Sequence, residues 1–475
     1  MIRTSPKLFI FMCSVSGVLC CGCKMDKKQK LKGLEKYDTI KEQQLTEGNR
    51  GYFLNQAQVF SSDNRWIVFD NRNDDTQIIK NGSIGMVNVN TREIRNVYTA
   101  TDKNEFGPGV GAAVFNPKTN EVVFIHGLAN ADSVRPYTFT RRTAVSVAPF
   151  ETSKPVRLDA RDISPPFTPG ALRGGTHAYS ISGDGQWISF TYNDGLMAEL
   201  AKTDATIKDL RTIGVMVPSK PVRVSDDDTF ENFDGERFAT VVATVTEFPR
   251  AGSDEMSKAY EEGWIGTEGY LNAKGEVQNK ALAFLGDVRD GTSQTITEVF
   301  VADLPDPLID AKDIPHISGT ESTRPEPPAG VHQRRLTRTQ DRKFPGVQGP
   351  RQWIRSLPDG SLIFFPMKDD TGMVQIFAIS PNGGALRQMT ENDFSLETSF
   401  SIDPKGNYLA YGYHQDVYLT AIKTGNTKKI SPERDYKSGE LSNINWSNDG
   451  KILAYNRKVT ATKESYYQIF LINLK

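Results

Sequence analysis

Phe400-Ser401-Ile402-Asp403-Pro404-Lys405-Gly406 leads straight into Tyr408-Leu409-Ala410-Tyr411. A short strand enters a tight turn, and a second alternating strand leaves it. The glycine closing the turn accepts the positive φ that such hairpins need. The same phrase recurs along the chain. Val59-Phe60-Ser61-Ser62-Asp63-Asn64 precedes Trp66-Ile67-Val68-Phe69, and Val114-Phe115-Asn116-Pro117 precedes Val122-Val123-Phe124. Tyr179 to Gly185 precedes Trp187-Ile188-Ser189-Phe190, and Phe233-Asp234-Gly235 precedes Phe238 to Val242. Leu357-Pro358-Asp359-Gly360 precedes Leu362 to Phe365, and Trp446 to Gly450 precedes Ile452 to Tyr455. With the opening stretch these make seven copies.

A third strand follows each copy, such as Gln375-Ile376-Phe377-Ala378-Ile379, and often a fourth, such as Lys428-Lys429-Ile430-Ser431. Four antiparallel strands per unit is the blade of a β-propeller. The expected fold class is therefore all-β, a seven-bladed propeller over residues 42–475. The last unit ends at Leu474-Lys475 without a fourth strand. Gln43-Gln44-Leu45-Thr46-Glu47, ahead of the first unit, is phrased like a fourth strand. The N-terminal segment is expected to complete the last blade, which removes a free sheet edge.

Unit four is too long for one blade. Two inserts account for the excess, at 249–279 and 304–330. The first reads as a short helix over Gly252 to Tyr270 capped by Ser253, a lid bearing Tyr260, Trp264, Glu261 and Glu262. The second contains Arg324-Pro325-Glu326-Pro327-Pro328, a stiff extended stretch.

Residues 1–22 read as a lipoprotein signal peptide. Arg3 and Lys7 precede an apolar run from Leu8 to Leu19, too short for a membrane span of roughly 20 residues. The run ends Leu19-Cys20-Cys21-Gly22-Cys23, which resembles a bacterial lipobox with Cys23 as the acylated residue. Residues 23–41 then form a lysine-rich tether. These features place the chain in the bacterial envelope, anchored to a membrane through lipid and most naturally periplasmic. Cys13, Cys20, Cys21 and Cys23 are the only cysteines, so the folded body has no disulfide, no Cys-ligated zinc and no cysteine nucleophile. The formal net charge is −1. With so little net charge there is no footprint for nucleic acid.

The blade phrase resembles the propeller of the TolB protein of the Tol–Pal system. A closer resemblance lies in three stretches: Phe124-Ile125-His126-Gly127 with Arg141-Arg142, Thr168 to His177 continuing to Asp194, and Gly252 to Trp264. Together they are similar to the uncharacterised family labelled domain of unknown function 3748. That resemblance implies a propeller and supplies no activity. Where the family carries a His-x-His pair, Tyr179 stands in the second position, which weakens a metal site built there.

Aligning the units on their turns sets His177 level with Gln56, Gly111, Gln352, Thr398 and Ser442, an inferred polar ring at the channel mouth. His177 is its only ionisable member and a candidate general base, with Arg173 upstream as a carboxylate clamp. Gln56, Tyr179, Asn193, Tyr260, Trp264 and Gln352 are candidate ligand-binding residues. The blander alternative is a channel histidine held by its neighbours, with Arg173 in an ion pair. His126, His177 and His332 are candidates for a divalent cation, Mn or Ca, only if the fold brings them together. Asp226-Asp227-Asp228 is a second candidate for a hard cation.

Two functions follow. One is a binding module whose partner is an envelope protein or an acidic oligosaccharide. The other is a carbohydrate-active enzyme, a lyase on uronic-acid oligosaccharides, by analogy with oligogalacturonate lyases of this propeller type.

Overall fold

The computed structural model describes residues 41–151, 154–225, 230–309, 314–351, 353–432, 439–461 and 464–474. The signal peptide, Cys23 and nearly all of the tether, Gln352 and Asp226-Asp227-Asp228 lie outside the described residues.

Among the described residues, six four-stranded antiparallel sheets and one three-stranded sheet, completed by a bridged inner segment, form the seven blades of a closed ring. Blade 1 has Trp66–Asp70, Ser83–Asn88 and Ile94–Thr99, with residues 53–60 as its innermost strand, bridged at Phe53 to Asp70 and at Phe60 to Ile67. Blade 2 is Val110–Phe115, Val122–Gly127, Arg142–Val147 and Val156–Arg157. Blade 3 is Gly175–Ile181, Ile188–Asn193, Arg211–Val217 and Phe238–Val241. Blade 4 is Met256–Trp264, Lys280–Arg289, Thr295–Leu304 and His332–Arg335. Blade 5 is Arg355–Ser356, Ile363–Lys368, Val374–Ile379 and Arg387–Gln388. Blade 6 is Ser401–Ile402, Tyr408–Tyr413, Asp416–Ala421 and Thr427–Lys429. Blade 7 is Leu441–Trp446, Ile452–Ala461 and Glu464–Asn473, and its fourth strand is Glu42–Gln44.

The second strand of each blade is sandwiched between neighbouring blades. Trp66–Asp70 and Ile188–Asn193 are buried at every position. A strand covered on both faces loses its alternation and reads as a continuous apolar run. The core is accordingly a set of layers between blades. One layer joins Leu45, Ile469 and Leu471 of blade 7 to Phe69 of blade 1 and Phe124 of blade 2.

Two expectations about unit four need correction. Residues Gly252 to Tyr270 contain no helix; Met256–Trp264 is the innermost strand of blade 4. Its pairing with Lys280–Arg289 slips twice, between Met256 and Lys258 and between Tyr260 and Gly263. Each bulge inserts one extra residue. Burial therefore recurs every third residue, at Met256, Ala259 and Glu262, and this spacing imitates a helix face. The Phe238 phrase does not open a blade either, because Phe238–Val241 is the outermost strand of blade 3. The count of seven holds because one misassigned phrase stood in for one missed strand.

The ring is closed by more than backbone pairing. Glu42 accepts hydrogen bonds from Arg457 Nη2 (2.7 Å) and from the Tyr455 hydroxyl. Both charged side chains are buried, at 7% and 1% exposure. Glu42→Ala leaves the Arg457 guanidinium buried without its carboxylate, at a cost of about 3–5 kcal/mol. Urea unfolding should show the midpoint falling accordingly; an unchanged midpoint would show that the pair does not hold the ring.

Candidate functional site

The innermost strands carry a shared irregularity. Gly111, His177 and Ser442 each stand immediately before a one-residue bulge. The residue that follows takes a left-handed backbone: Ala112 (φ 55°), Ala178 (φ 60°) and Asn443 (φ 55°). Glu261 (φ 56°) repeats this in blade 4, and Gln58 (φ 56°) is left-handed in blade 1. A side chain in this region carries strain of roughly 1–3 kcal/mol, and such strain concentrates at functional sites. The bulges re-aim consecutive side chains toward the channel.

Long connections rise over the mouth from blades 1, 2 and 3, at residues 71–82, 128–141 and 194–210. The last two each deliver an arginine as the first residue of a third strand, Arg142 in blade 2 and Arg211 in blade 3. Both guanidinium groups pack on one ring, Phe139, at 4.2 and 4.9 Å from its centroid. Arg142 also lies 4.8 Å from the Tyr137 ring. His177 sits 5.5 Å from Phe139, ring to ring. Arg211 donates from Nε to Asn193 Oδ1 (3.3 Å). Among the described residues, no carboxylate comes within ion-pair distance of either guanidinium, while Phe139 is 48% exposed at the mouth.

The charges set the protonation states around them. Burial first, then the fields of Arg142 and Arg211, hold the His177 imidazole well below its usual value, which favours its neutral form. On the neighbouring innermost strand of blade 4, burial pushes the Glu262 carboxyl up to about 8. Thr191 Oγ1 donates to Glu262 Oε2 (2.9 Å), and the backbone of Thr191 pairs with that of His177. Burial also raises Glu261, against the opposing pull of Arg351 and Arg355. His177 Nδ1, Arg142 Nε, Glu261 Oε2, Glu262 Oε1 and Trp353 Nε1 are buried without hydrogen-bond partners among the described residues. Buried polar atoms left in this state cost about 1–3 kcal/mol each, and convergence of several marks a place prepared for polar contacts.

Two hollows that meet at Gln56 lie beside this arrangement, and neither is lined by Arg142, Arg211, Phe139 or His177. An inner recess of about 190 Å³ is walled by Gln56, Gln58, Tyr179, Glu262, Trp264 and Trp353. A cleft of about 310 Å³ at the mouth is lined by Gln56, Asp75, Arg351, Ser399, Asn443 and Lys458. Gln56 is fixed by accepting from Ser399 Oγ (2.6 Å) and donating to Asn443.

The other candidates are distributed differently. Arg173 is fully buried and bound to Asp194 (2.6 Å) and to the carbonyls of Thr320 and Thr323. It ties the 304–330 insert to blade 3 rather than facing the channel. Asn193 orients Arg211 and also donates to Asp209 (3.0 Å). Tyr179 bonds Thr176 (2.8 Å) and lines the recess from within the core. Tyr260 turns its hydroxyl to Asp287 (3.0 Å), and Trp264 donates to the Ser180 carbonyl (3.0 Å). His126 lies in an outer groove between blades 1 and 2, paired with Tyr98 (2.8 Å). His332 is exposed on the outermost strand of blade 4. The three histidines therefore do not converge, and among the described residues no cluster of three or more His, Cys, Asp or Glu side chains is arranged to hold a metal ion.

Arg142, Arg211 and Phe139 escaped notice as site residues because the units were aligned on their turns. Aligned instead on the third strands, Arg142 and Arg211 fall on the same step of consecutive blades.

Titration offers a check. With its folded value raised, Glu262 contributes stability below about 4.5 that is lost as pH rises through about 8. His177 acts oppositely, with stability lost as pH falls below its ordinary 6.5. Glu262→Gln should flatten the decline between about 4.5 and 8 by a few kcal/mol, read as thermal midpoint against pH. An unchanged slope would remove Glu262 as the titrating group.

Comparison with known proteins places these residues in context. A family model described as Protein of unknown function (DUF3748) matches residues 109–231, a span that includes Arg142, His177 and Arg211. The Uncharacterized protein YidR of Escherichia coli (strain K12) is 38% identical over 416 residues, covering 87% of this chain and 94% of that protein. Among solved structures, an oligogalacturonate lyase in complex with manganese is similar at 11% identity and a TM-score of 0.49, over 92% of this chain and 96% of that one. A putative TolB from Agrobacterium tumefaciens is similar at 13% identity and a TM-score of 0.34, over 74% and 88%.

Proposed function

This chain belongs to the family of YidR, described as DUF3748, and from that premise we propose that it is a lipid-anchored envelope propeller that captures a carboxylate-bearing saccharide at its channel mouth. The observation that carries the reading is the Arg142–Phe139–Arg211 arrangement: two guanidinium groups pack on one ring, and among the described residues no carboxylate lies within ion-pair distance of either. Arg142 is buried, and half-buried Arg211 feels Glu261, Asp209 and Glu262 only through their fields, so the pair favours an anion supplied from outside. The neighbouring recess adds what a sugar ring needs. Trp264 and Trp353 supply aromatic walls, and Gln56, Gln58 and the Glu262 carboxyl supply hydrogen-bonding groups. With its imidazole held well below the usual value, His177 does not add a further cation beside buried Arg142 and half-buried Arg211. Anchoring through Cys23 rests on the lipobox-like Leu19 to Cys23, and Cys23→Ser should release the protein from the membrane fraction.

Calorimetric titration with galacturonate, the simplest probe of this class, tests the capture. Arg142→Gln and Arg211→Gln should each weaken binding about 10- to 100-fold while the fold is retained. Equal affinity in both variants would sink the reading.

A second reading is a lyase acting on uronic-acid oligosaccharides. It is favoured by one observation: the His177 ring stands 5.5 Å from the Phe139 ring on which both arginines pack, and among the described residues its buried Nδ1 has no hydrogen-bond partner and is placed to take a proton. Unsaturated chain ends after incubation with such oligomers, absent with His177→Ala, would establish it; unaltered oligomers would exclude it.

A further inference from the structure

We propose that the ligand carries at least two acidic groups on an oligomer, and that Arg351 at the mouth receives the second by exchanging its partner Asp75. This rests on the capture of a carboxylate by Arg142 and Arg211 argued above.

Asp75 comes from the 71–82 connection of blade 1, and Arg351 from the segment entering blade 5, 276 positions away. Their ion pair therefore reaches across the channel opening. It lies in the wall of the mouth cleft, which meets the inner recess at Gln56. A chain with one residue in the recess has room for the next in the cleft. A glycosidic oligomer suits two joined hollows better than a single ring does.

The pair is built to exchange. Its side chains are 36% and 41% exposed, and ion pairs with that exposure contribute little net stability. Asp75 is not left alone when Arg351 departs. Arg72 lies 3.8 Å from its carboxylate and donates to its carbonyl (2.8 Å), and Arg72 is itself locked to Asp70 (2.8 Å). Arg351 packs beside the Trp353 ring at 5.6 Å, and its Nε is buried without a partner. A second carboxylate offers that guanidinium a bidentate partner. Lys458 lines the same cleft and is paired with Glu440 (3.3 Å), but its ammonium is a point charge, whereas the Arg351 guanidinium can hold a carboxylate with two parallel donors.

The test compares galacturonate with trigalacturonate on the full-length protein by calorimetry. Wild type should bind the trimer about 10-fold or more tightly than the monomer. Asp75→Asn, which frees Arg351, should strengthen trimer binding about 2- to 5-fold and leave the monomer unchanged. Arg351→Gln should bring the trimer down to the monomer's affinity. Monomer binding that depends on Arg142 and Arg211, with no gain for the trimer, overturns this inference and leaves the capture reading standing. No binding of either probe overturns both. Tighter binding of triglutamate than of trigalacturonate overturns the saccharide assignment.

Discussion

The three-residue pairing of Glu42–Gln44 with Glu464–Asn473 is the contact on which the ring depends. A propeller has no central core to fall back on. Each blade is stabilised by apolar layers shared with its two neighbours, and the layer between blades 7 and 1 forms only if the ring closes. Leu45 follows directly from the closing strand and enters the same layer as Ile469, Leu471 and Phe69. Thr46 extends the seam by donating to Gln468 Oε1 (3.0 Å) and accepting from the Ile469 amide (2.9 Å). The Glu42–Arg457 pair adds registry, because a slip of one residue would turn the carboxylate to the other face of the sheet.

Closure also permits the strain seen at the channel. Left-handed backbone at Gln58, Ala112, Ala178, Glu261 and Asn443 persists only where the surroundings over-determine it. The innermost strands are held by their second strands on one side and by the circumference of the ring on the other. With the backbone set in this way, side chains from blades 1, 3, 4 and 5 reach one recess. The result is an electrostatically divided mouth. Guanidinium groups with no ion-pair partner among the described residues stand over blades 2 and 3, raised carboxyl values lie on blade 4, and an ion pair spans blades 1 and 5.

Much of the architecture was legible because a turn chemistry and a strand period repeat together. Asp403 to Gly406 and its counterparts mark hairpins, and the missing fourth strand at Leu474 matched a spare one near Gln43. Blade 4 was illegible for a definite reason. Two bulges in Met256–Trp264 changed a period of two into a period of three, and no sequence rule separates that from a helix face. The site was half legible. His177 and Gln56 were placed at the channel by alignment of the units. Arg173 looked equally plausible, yet its partner Asp194 lies 21 residues away and the carbonyls it binds lie about 150 away. Phe139 was hidden in a connection with no regular structure, where only three dimensions show what it stacks against.

The seam has a consequence in time. Thr46 and Gln468 are separated by 422 positions, and the Leu54–Asn456 bond by 402. Contacts of such separation form late and slowly, since chain entropy must be surrendered before they can contribute. Emerging from its N-terminus, this polypeptide holds its closing strand unpaired until the final hairpin has been made. The layer between first and last blades stays open to solvent throughout that interval, so the vulnerable species is a nearly complete arc, and the last step of maturation is its locking.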